Sequence, residues 1–352
     1  MNSRSATATR TKFEELAPGT AHASCPACGQ MTEEAALERL NSASLYACAR
    51  CDLHFWHPVS MPCAAWYETA YQGRDQTAMQ LEPGHRFFLY DSKAPKSGRL
   101  LDLGCGVGNF LAAARDAGFD VAGIELNQNA VRFAQQHYGL RDVTASRPGE
   151  FLAAHPGEKF GVVTFFEVLE HQADPQAFLN IAKDFLMDGG FLALSVPNRS
   201  RWKKGIETLD YPPNHLTRWS PCALRNFLER NGFEVLTMRQ EPLGILRAAQ
   251  VLSSGLRTGL VARVAGEEPP VLSELAEMKL AQMKQTMERV TNHPRHRLAA
   301  QLVKWKNFVL VPVAGLLLPF LRLRGYTGLY LYCLARRNNP VKNEASTVRV
   351  GV

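Results

Sequence analysis

The stretch 99–110, RLLDLGCGVGNF, restricts the possible folds more than any other part of this chain. An apolar run ends in three glycines, Gly104, Gly106 and Gly108, each separated by one residue, and an amphipathic run follows at once. Such a junction is a strand turning directly into a helix. Glycine serves where the backbone must bend sharply or meet a ligand closely. The alternation then recurs. DVAGIEL reads as a strand and AVRFAQQHYG as its helix, with DVTA as a short strand after them. GVVTFFEV is the next strand, PQAFLNIAKDFLMDGG a helix plus turn, and FLALSVPN a further strand. A helix opened by Ser220 and Pro221 and ended by Gly232 precedes the strand FEVLTMRQ. Strands alternating with helices of this length imply an α/β fold with a parallel sheet and right-handed crossovers. A seventh strand, GLYLYCLARR, lies about 85 residues further on. That distance is too long for a plain loop and implies a helical insertion before the last strand.

Glu125 ends the second strand, about 20 residues after the glycines, where an acid can accept hydrogen bonds from ribose hydroxyls. With these residues in view, 99–198 resembles a class I S-adenosylmethionine-dependent methyltransferase of the ubiquinone-pathway O-methyltransferase type. The resemblance implies a Rossmann-like seven-stranded sheet and S-adenosylmethionine as cofactor. It sets Asp102 beneath the methionine moiety and Gly104, Cys105, Gly106, Gly108 and Asn109 along the cofactor loop. It also sets Glu125 and Leu126 at the ribose, and Phe166 and Glu167, in FFEVLEH, at the border of cofactor and substrate. Two positions depart from the pattern. Gly161 stands where such families often carry Asp, and Arg147 stands near the adenine edge, where it cannot accept a hydrogen bond from the amino group. The competing reading is an NAD(P)-dependent oxidoreductase. Its fingerprint needs GxGxxG, whereas the loop here, GCGVGN, reads GxGxG.

The second informative pattern is CPAC…CARC, in which nineteen residues separate two CxxC pairs. Cys25, Cys28, Cys48 and Cys51 then read as two knuckles of a zinc ribbon, supplying four thiolates to a structural Zn²⁺. Gly29 relieves the turn after the first knuckle and Asp52 takes the equivalent place in the second. Metal would supply the stability that so small a module cannot draw from its own core. The context CARCDLHFWHPV followed by WYETAY resembles N-terminal modules of sugar and secondary-metabolite methyltransferases. That resemblance puts Tyr67 and Tyr71 at a substrate cleft; packing the ribbon onto the core is the other role open to them. An RNA methyltransferase is a further alternative, but no nucleic acid partner is expected. The turn after the fourth strand reads EVLEH rather than Asn/Asp-Pro-Pro-aromatic, and the ribbon holds only Arg39 and Arg50 as cations. A cofactor-binding adaptor without catalysis is the non-enzymatic alternative.

Transfer of an activated methyl needs an aligned nucleophile and, for a hydroxyl, a group to take its proton. His171, at the end of FFEVLEH, and His215, in YPPNHLTRWS, are the candidate catalytic residues, both at the sheet edge where α/β folds bind ligands. Glu167, Glu170 and His171 also resemble a divalent-metal motif of the ubiquinone-pathway enzymes, which leaves metal binding there open. Residues 289–343 contain no acid but ten Lys and Arg, among them Lys304, Lys306, Arg322 and Arg324, around the uncharged run 308–321. That run is too short to span a bilayer and contains Pro312 and Pro319. It fits a core helix or an interfacial one, so peripheral membrane contact is expected through 297–337. The expected division is a disordered 1–24, a zinc ribbon over 25–58 and a helical cap over 59–98. A methyltransferase core over 99–240, a helical insertion over 241–326 and the last strand with its tail over 327–352 complete it. The expected location is cytoplasmic, with contact at the inner face of the membrane. The acceptor is expected to be a small molecule or lipid-linked, methylated at oxygen, with carbon and nitrogen left open.

Overall fold

The computed structural model describes residues 23–32, 35–40, 43–62, 78, 80–201, 210–249 and 310–339. The N-terminal residues 1–22, Tyr67, Tyr71, Lys304, Lys306 and most of the expected insertion lie outside the described residues.

Among the described residues, eleven strands form two sheets. The larger has seven, in the order β10 (Phe233–Pro242), β11 (Thr327–Arg337), β8 (Leu186–Pro197), β7 (Phe160–Phe166), β4 (Gly98–Leu103), β5 (Phe119–Glu125) and β6 (Val143–Ala145). Strands β4 to β8 run parallel, and β11 runs antiparallel to both β8 and β10. This is the Rossmann-like seven-stranded α/β architecture anticipated, with the last strand in sequence inserted between β8 and β10. Strand β7 reads FGVVTFF because a central parallel strand is covered on both faces. Helices α2 (Asn109–Asp116), α3 (Gln128–Tyr138), α4 (Pro148–Ala154), α5 (Pro175–Phe185) and α6 (Pro221–Arg230) supply the cover, and α1 (Pro83–Tyr90) precedes the sheet.

The helix starts follow from capping chemistry. Asn127 accepts from the amides of Asn129 and Ala130, Asp174 from Ala177, and Ser220 from Ala223, with Pro175 and Pro221 next to the latter two caps. One expectation differs from the structure. LMDGG is not the turn that follows α5: β8 begins at Leu186 and carries the segment as a bulge. Phe160 pairs with Leu186 but Val162 with Phe191, so the extra residues loop out, and Gly189 takes φ 71° there.

The smaller sheet, β1 (Glu38–Leu40), β2 (Ala43–Ala47), β3 (His54–His57) and β9 (Thr217–Arg218), is antiparallel. Its first three strands belong to the cysteine region and its fourth comes from the loop between β8 and α6. The core is shared too, since Tyr46, Leu53 and Phe55 join one hydrophobic cluster with Leu169, Trp219 and Phe227. Helical residues 310–323 lie beyond β10. Ala314 and Leu321 of that segment are buried against Leu243, Ala248 and Ala249, while Val313, Leu316, Leu317, Phe320 and Leu323 remain exposed. Among the described residues no helix is long and apolar enough to cross a membrane.

Gly108 shows how tightly the first crossover is packed. It caps α2 at φ 81°, and an added Cβ would stand 2.8 Å from the Ala134 side chain and 2.7 Å from that of Leu140. Gly139, at φ 64°, has no such neighbour within 4 Å. Gly108→Ala should therefore reduce urea-measured unfolding free energy by about 2–4 kcal/mol, and Gly139→Ala by only about 1 kcal/mol. Equal losses in the two variants would contradict the packing argument.

Candidate functional site

The C-terminal ends of β4, β5 and β7 converge on one edge of the large sheet, and two sets of polar side chains gather there. The first surrounds the glycine loop. Gly104 and Cys105 donate their amides to the Ile124 carbonyl, which ties the loop to the end of β5. Gly104 takes φ 83°, and a Cβ there would lie 2.7 Å from Val168, so the loop after β7 rests on the glycine loop. Glu125 accepts from the amides of Gly106 and Asn127, both at 2.9 Å. Its carboxylate is thus held at the loop, and burial raises its pKa against those two hydrogen bonds. Asp102 lies below, 3% exposed, and accepts from the Thr164 hydroxyl at 2.7 Å; burial pushes it up to about 7.

Around this loop, Cys105 and Gly108 are buried, whereas Gly106, Asn109 and Leu126 are half-buried. Phe166 is packed edge-on against His85 of α1 and Phe110 of α2. Glu167, the next residue, has φ 55°, an uncommon conformation for a side chain of its size. Ser195 of β8 holds it there twice: the Glu167 amide donates to the Ser195 carbonyl at 2.9 Å, and the Ser195 hydroxyl donates to Oε1 at 2.7 Å. Burial pushes this carboxyl up to about 8. Arg147 is half-exposed and pairs with Glu150, directly after Ser146, whose amide donates to the Glu125 carbonyl.

The second set lies where a 3₁₀ turn, Leu169–His171, meets the loop 210–216. Glu170 is 1% exposed, and neither carboxylate oxygen has a hydrogen-bond partner. His171 Nε2 and His215 Nε2 are the imidazole nitrogens beside it, 3.7 and 4.0 Å from Oε1. The other nitrogen of each ring is engaged. His171 Nδ1 donates to the Asn214 carbonyl, and His215 Nδ1 faces Asp210 Oδ1 at 3.5 Å. Asp210 is in turn held by Arg201 and Arg218. Burial, reinforced by the neighbouring His215, lowers the His171 pKa to about 4, so this imidazole is neutral at physiological pH. The structure thus brings both candidate histidines together, although 43 residues separate them along the chain. Glu167, grouped with Glu170 and His171 in the sequence motif, is turned instead toward Ser195.

The four cysteines gather as the spacing implies. Cys25 Sγ lies 3.6 Å from Cys51 Sγ, and Cys28 Sγ 3.5 Å from Cys48 Sγ. Zn–S bonds of ~2.3 Å put tetrahedral sulfurs about 3.8 Å apart, so the donor set fits Zn²⁺. The Gly29 amide donates to the Cys25 carbonyl and the Asp52 amide to that of Cys48, two equivalent knuckle turns. Asp52, at φ 61°, does more than tolerate the turn. Its carboxylate pairs with Arg199 at 2.6 Å and accepts from the Ser220 hydroxyl that caps α6. Trp56 Nε1 donates to the Asp210 carbonyl at 3.0 Å, and the Trp56 amide to the Leu216 carbonyl. Asp210, Trp56, Ser195 and the side chain of Asp52 were not found from the sequence. Each acts through a distant partner, and only the polar YPPNH context hinted at Asp210.

Residues 71–238 match a family described as a methyltransferase domain. The ubiquinone biosynthesis O-methyltransferase of Thiobacillus denitrificans is 36% identical over 115 residues, covering 31% of this chain and 49% of that protein. The protein of the same name from Cereibacter sphaeroides is 35% identical over 126 residues, or 35% and 50% of the two chains. The chain spans about half the length of the curated relatives it matches. A solved SAM-dependent methyltransferase from Archaeoglobus fulgidus is 16% identical, with a TM-score of 0.42 over 78% of this chain and 100% of that one.

The joined sheet of β1, β2, β3 and β9 generates a prediction about the cysteines. In a Cys25→Ser/Cys28→Ser variant, hydrogen exchange should accelerate over 43–57 and over 210–219 together, because β9 loses its partner. Metal analysis should find zinc in the wild-type protein and none in this variant if the four thiolates are its ligands. Unchanged protection over 210–219 would show that the loop stands without the module.

Proposed function

We propose that this chain, whose residues 71–238 match a methyltransferase domain, is a class I enzyme that transfers the methyl group of S-adenosylmethionine to an oxygen of a small-molecule or lipid-linked acceptor. One observation carries the proposal: the glycine loop with Glu125 and the Glu170–His171–His215 cluster lie at the same sheet edge, with Val168 against Gly104 between them. The matched relatives are named O-methyltransferases and favour neither a dehydrogenase nor an RNA-modifying reading.

The residues divide the work. Gly104, Cys105, Gly106, Gly108 and Asn109 would hold the cofactor, with Asp102 fixed below them through Thr164. Glu125 would release its backbone amides to accept ribose hydroxyls, with Leu126 beside it. Phe166 and Glu167 would form the border with the acceptor, kept in place by His85, Phe110 and Ser195. When bound, the cofactor supplies an electrophilic sulfonium methyl. His171 and His215 would handle the proton of the acceptor hydroxyl. Neutral His171 has the right protonation state for this, and Asp210 orients the His215 ring. Cys25, Cys28, Cys48 and Cys51 would hold a structural Zn²⁺ remote from the reacting atoms. The division into ribbon 25–58, cap 59–98, core 99–240 and insertion 241–326 is retained as part of this reading.

Location forms a second component. The exposed Val313, Leu316, Leu317, Phe320 and Leu323 lie beside Arg322 and Arg324, a composition suited to an anionic membrane surface. We therefore place the protein in the cytoplasm, where free thiols persist, with peripheral contact at the inner face of the membrane.

Calorimetry tests the cofactor site. Gly106→Val and Glu125→Ala should each weaken S-adenosylmethionine binding at least about tenfold while the circular dichroism spectrum stays unchanged; about 1.4 kcal/mol corresponds to tenfold. Unaltered affinity in both would overturn the assignment. Co-sedimentation tests the location. Anionic vesicles should retain the protein at low salt, and Leu316→Ser/Phe320→Ser should release it. Binding to neither anionic nor neutral vesicles would remove the membrane from this reading.

A further inference from the structure

We propose that the acceptor is a cation: a hydroxyl compound that also bears a protonated amine, which the carboxylates of Glu82, Glu167 and Glu241 hold beside Tyr330. That the hydroxyl is the reacting group rests on the methyl-transfer reading above; the preference of the cleft for a cation does not.

The three acids come from separate elements that meet at one sheet edge. Glu167 follows the end of β7. Strand β11 runs antiparallel to β8 and β10, so it begins where they end. Glu241 lies one residue before the end of β10. Its Oε2 accepts from the amides of Leu329 at 2.8 Å and Tyr330 at 3.4 Å, which fixes the carboxylate at the start of β11. Tyr330 is paired with Pro197, two residues beyond Ser195, and the Ser195 hydroxyl holds Glu167. Glu82 stands at the N-cap of α1, and that helix rests on the same serine: a Cβ on Gly84 would lie 2.6 Å from Ser195 Oγ.

The protein does not balance these charges itself. Arg199 pairs with Asp52, Arg147 with Glu150, and Arg201 and Arg218 with Asp210; among the described residues, no Lys or Arg pairs with Glu82, Glu167 or Glu241. Burial raises the Glu167 pKa first, and Glu82 and Glu241 raise it further, against the Ser195 hydrogen bond and the charge of Arg201. Glu170 points to the same polarity independently. It is 1% exposed, neither of its oxygens has a hydrogen-bond partner, and after burial Glu167 and then Glu82 act on it to raise its pKa. Burying an acid without donors is costly, and positive charge entering the cleft reduces that cost.

The spacing favours an organic ammonium over a bare ion. Glu82, Glu167 and Glu241 are not gathered within the 4.8 Å that ligands of a single ion would share. Carboxylates set further apart can each accept one N–H of an ammonium group, in charge-assisted hydrogen bonds. The Tyr330 ring adds cation–π attraction, and burial, then the neighbouring acids, keep its hydroxyl neutral. An anionic acceptor would meet repulsion from every one of these groups. Glu170 borders both this cluster and the two histidines, so an amine among the acids leaves the hydroxyl of the same molecule on the side of His171 and His215.

Tyramine and 4-ethylphenol test the preference, since they share a phenol and differ in one protonated amine. Calorimetry uses the full-length protein without added divalent metal, both free and saturated with S-adenosylhomocysteine. Tyramine should bind at least about tenfold more tightly than 4-ethylphenol, as expected for hydrogen bonds to a charged group. The Glu82→Gln/Glu241→Gln variant should bind the two probes equally, and Glu82→Asp should keep the preference. Equal affinities in the wild-type protein, no tyramine binding at millimolar concentration, or a preference that survives in Glu82→Gln/Glu241→Gln would each overturn the proposal. So would a double variant that loses affinity for S-adenosylmethionine but not for S-adenosylhomocysteine while still favouring tyramine, because the acids would then serve the sulfonium. A tyramine preference in protein that does not bind S-adenosylhomocysteine would refute the methyltransferase reading and leave the cationic cleft standing.

Discussion

The pairing of Phe55 with Thr217 joins two parts of the chain that would otherwise be separate structures. Everything at the second half of the site hangs from it. The loop 210–219 carries Asp210 and His215, and it has almost no regular structure of its own. On one side β3 takes it as a fourth strand, and the indole of Trp56 holds the Asp210 carbonyl. On the other side the Leu216 amide donates to the carbonyl of Glu170, which brings the loop against the turn after β7. Asp52 reinforces the junction by contacting both Arg199 at the end of β8 and Ser220 at the start of α6. The cysteine region is therefore a wall of the site and not an appendage: Tyr46, Leu53 and Phe55 continue the main core, while Leu45 and Trp56 pack with Tyr211 of the loop.

Local chemistry made much of this fold readable in advance. Asn127, Asp174 and Ser220 cap helices because each side chain finds an amide two or three residues on, so the information is confined to a few adjacent letters. The glycines at 104, 106 and 108 work the same way, and so do the two CxxC knuckles. Residues whose partners are remote were not readable. Asp210 looks like an ordinary loop acid until Arg201, Arg218 and His215 surround it. The bulge at Gly189 looked like a turn because DGG has turn composition, and only pairing with β7 reveals that the strand continues through it. The orientation of Glu167 was hidden for a related reason. Sequence adjacency favoured Glu167, whereas the left-handed backbone at that residue sends its carboxylate to Ser195.

Buried carboxylates dominate the electrostatics of the sheet edge. Asp102, Glu125, Glu167 and Glu170 all lie within or beside it, and desolvation raises the pKa of every one. Burying such groups is costly unless each finds donors. Thr164, the amides of Gly106 and Asn127, and Ser195 supply them for the first three. Glu170 lacks them, and it is the one carboxylate between two imidazoles.

The four-stranded sheet also dictates an order of assembly during synthesis. Its first three strands leave the ribosome long before the fourth, since Trp56 and Asp210 are 154 residues apart. At ~5–20 residues per second, β3 waits roughly 10–30 s for β9. Throughout that interval all four thiols are present and can capture zinc, but one edge of their sheet remains open. A nascent chain therefore passes through a stage with its four thiols complete and a strand unpaired, the kind of edge that invites pairing with another chain. Protection of that edge by a chaperone, or by a pause in translation after residue 218, would bear directly on the yield of folded protein.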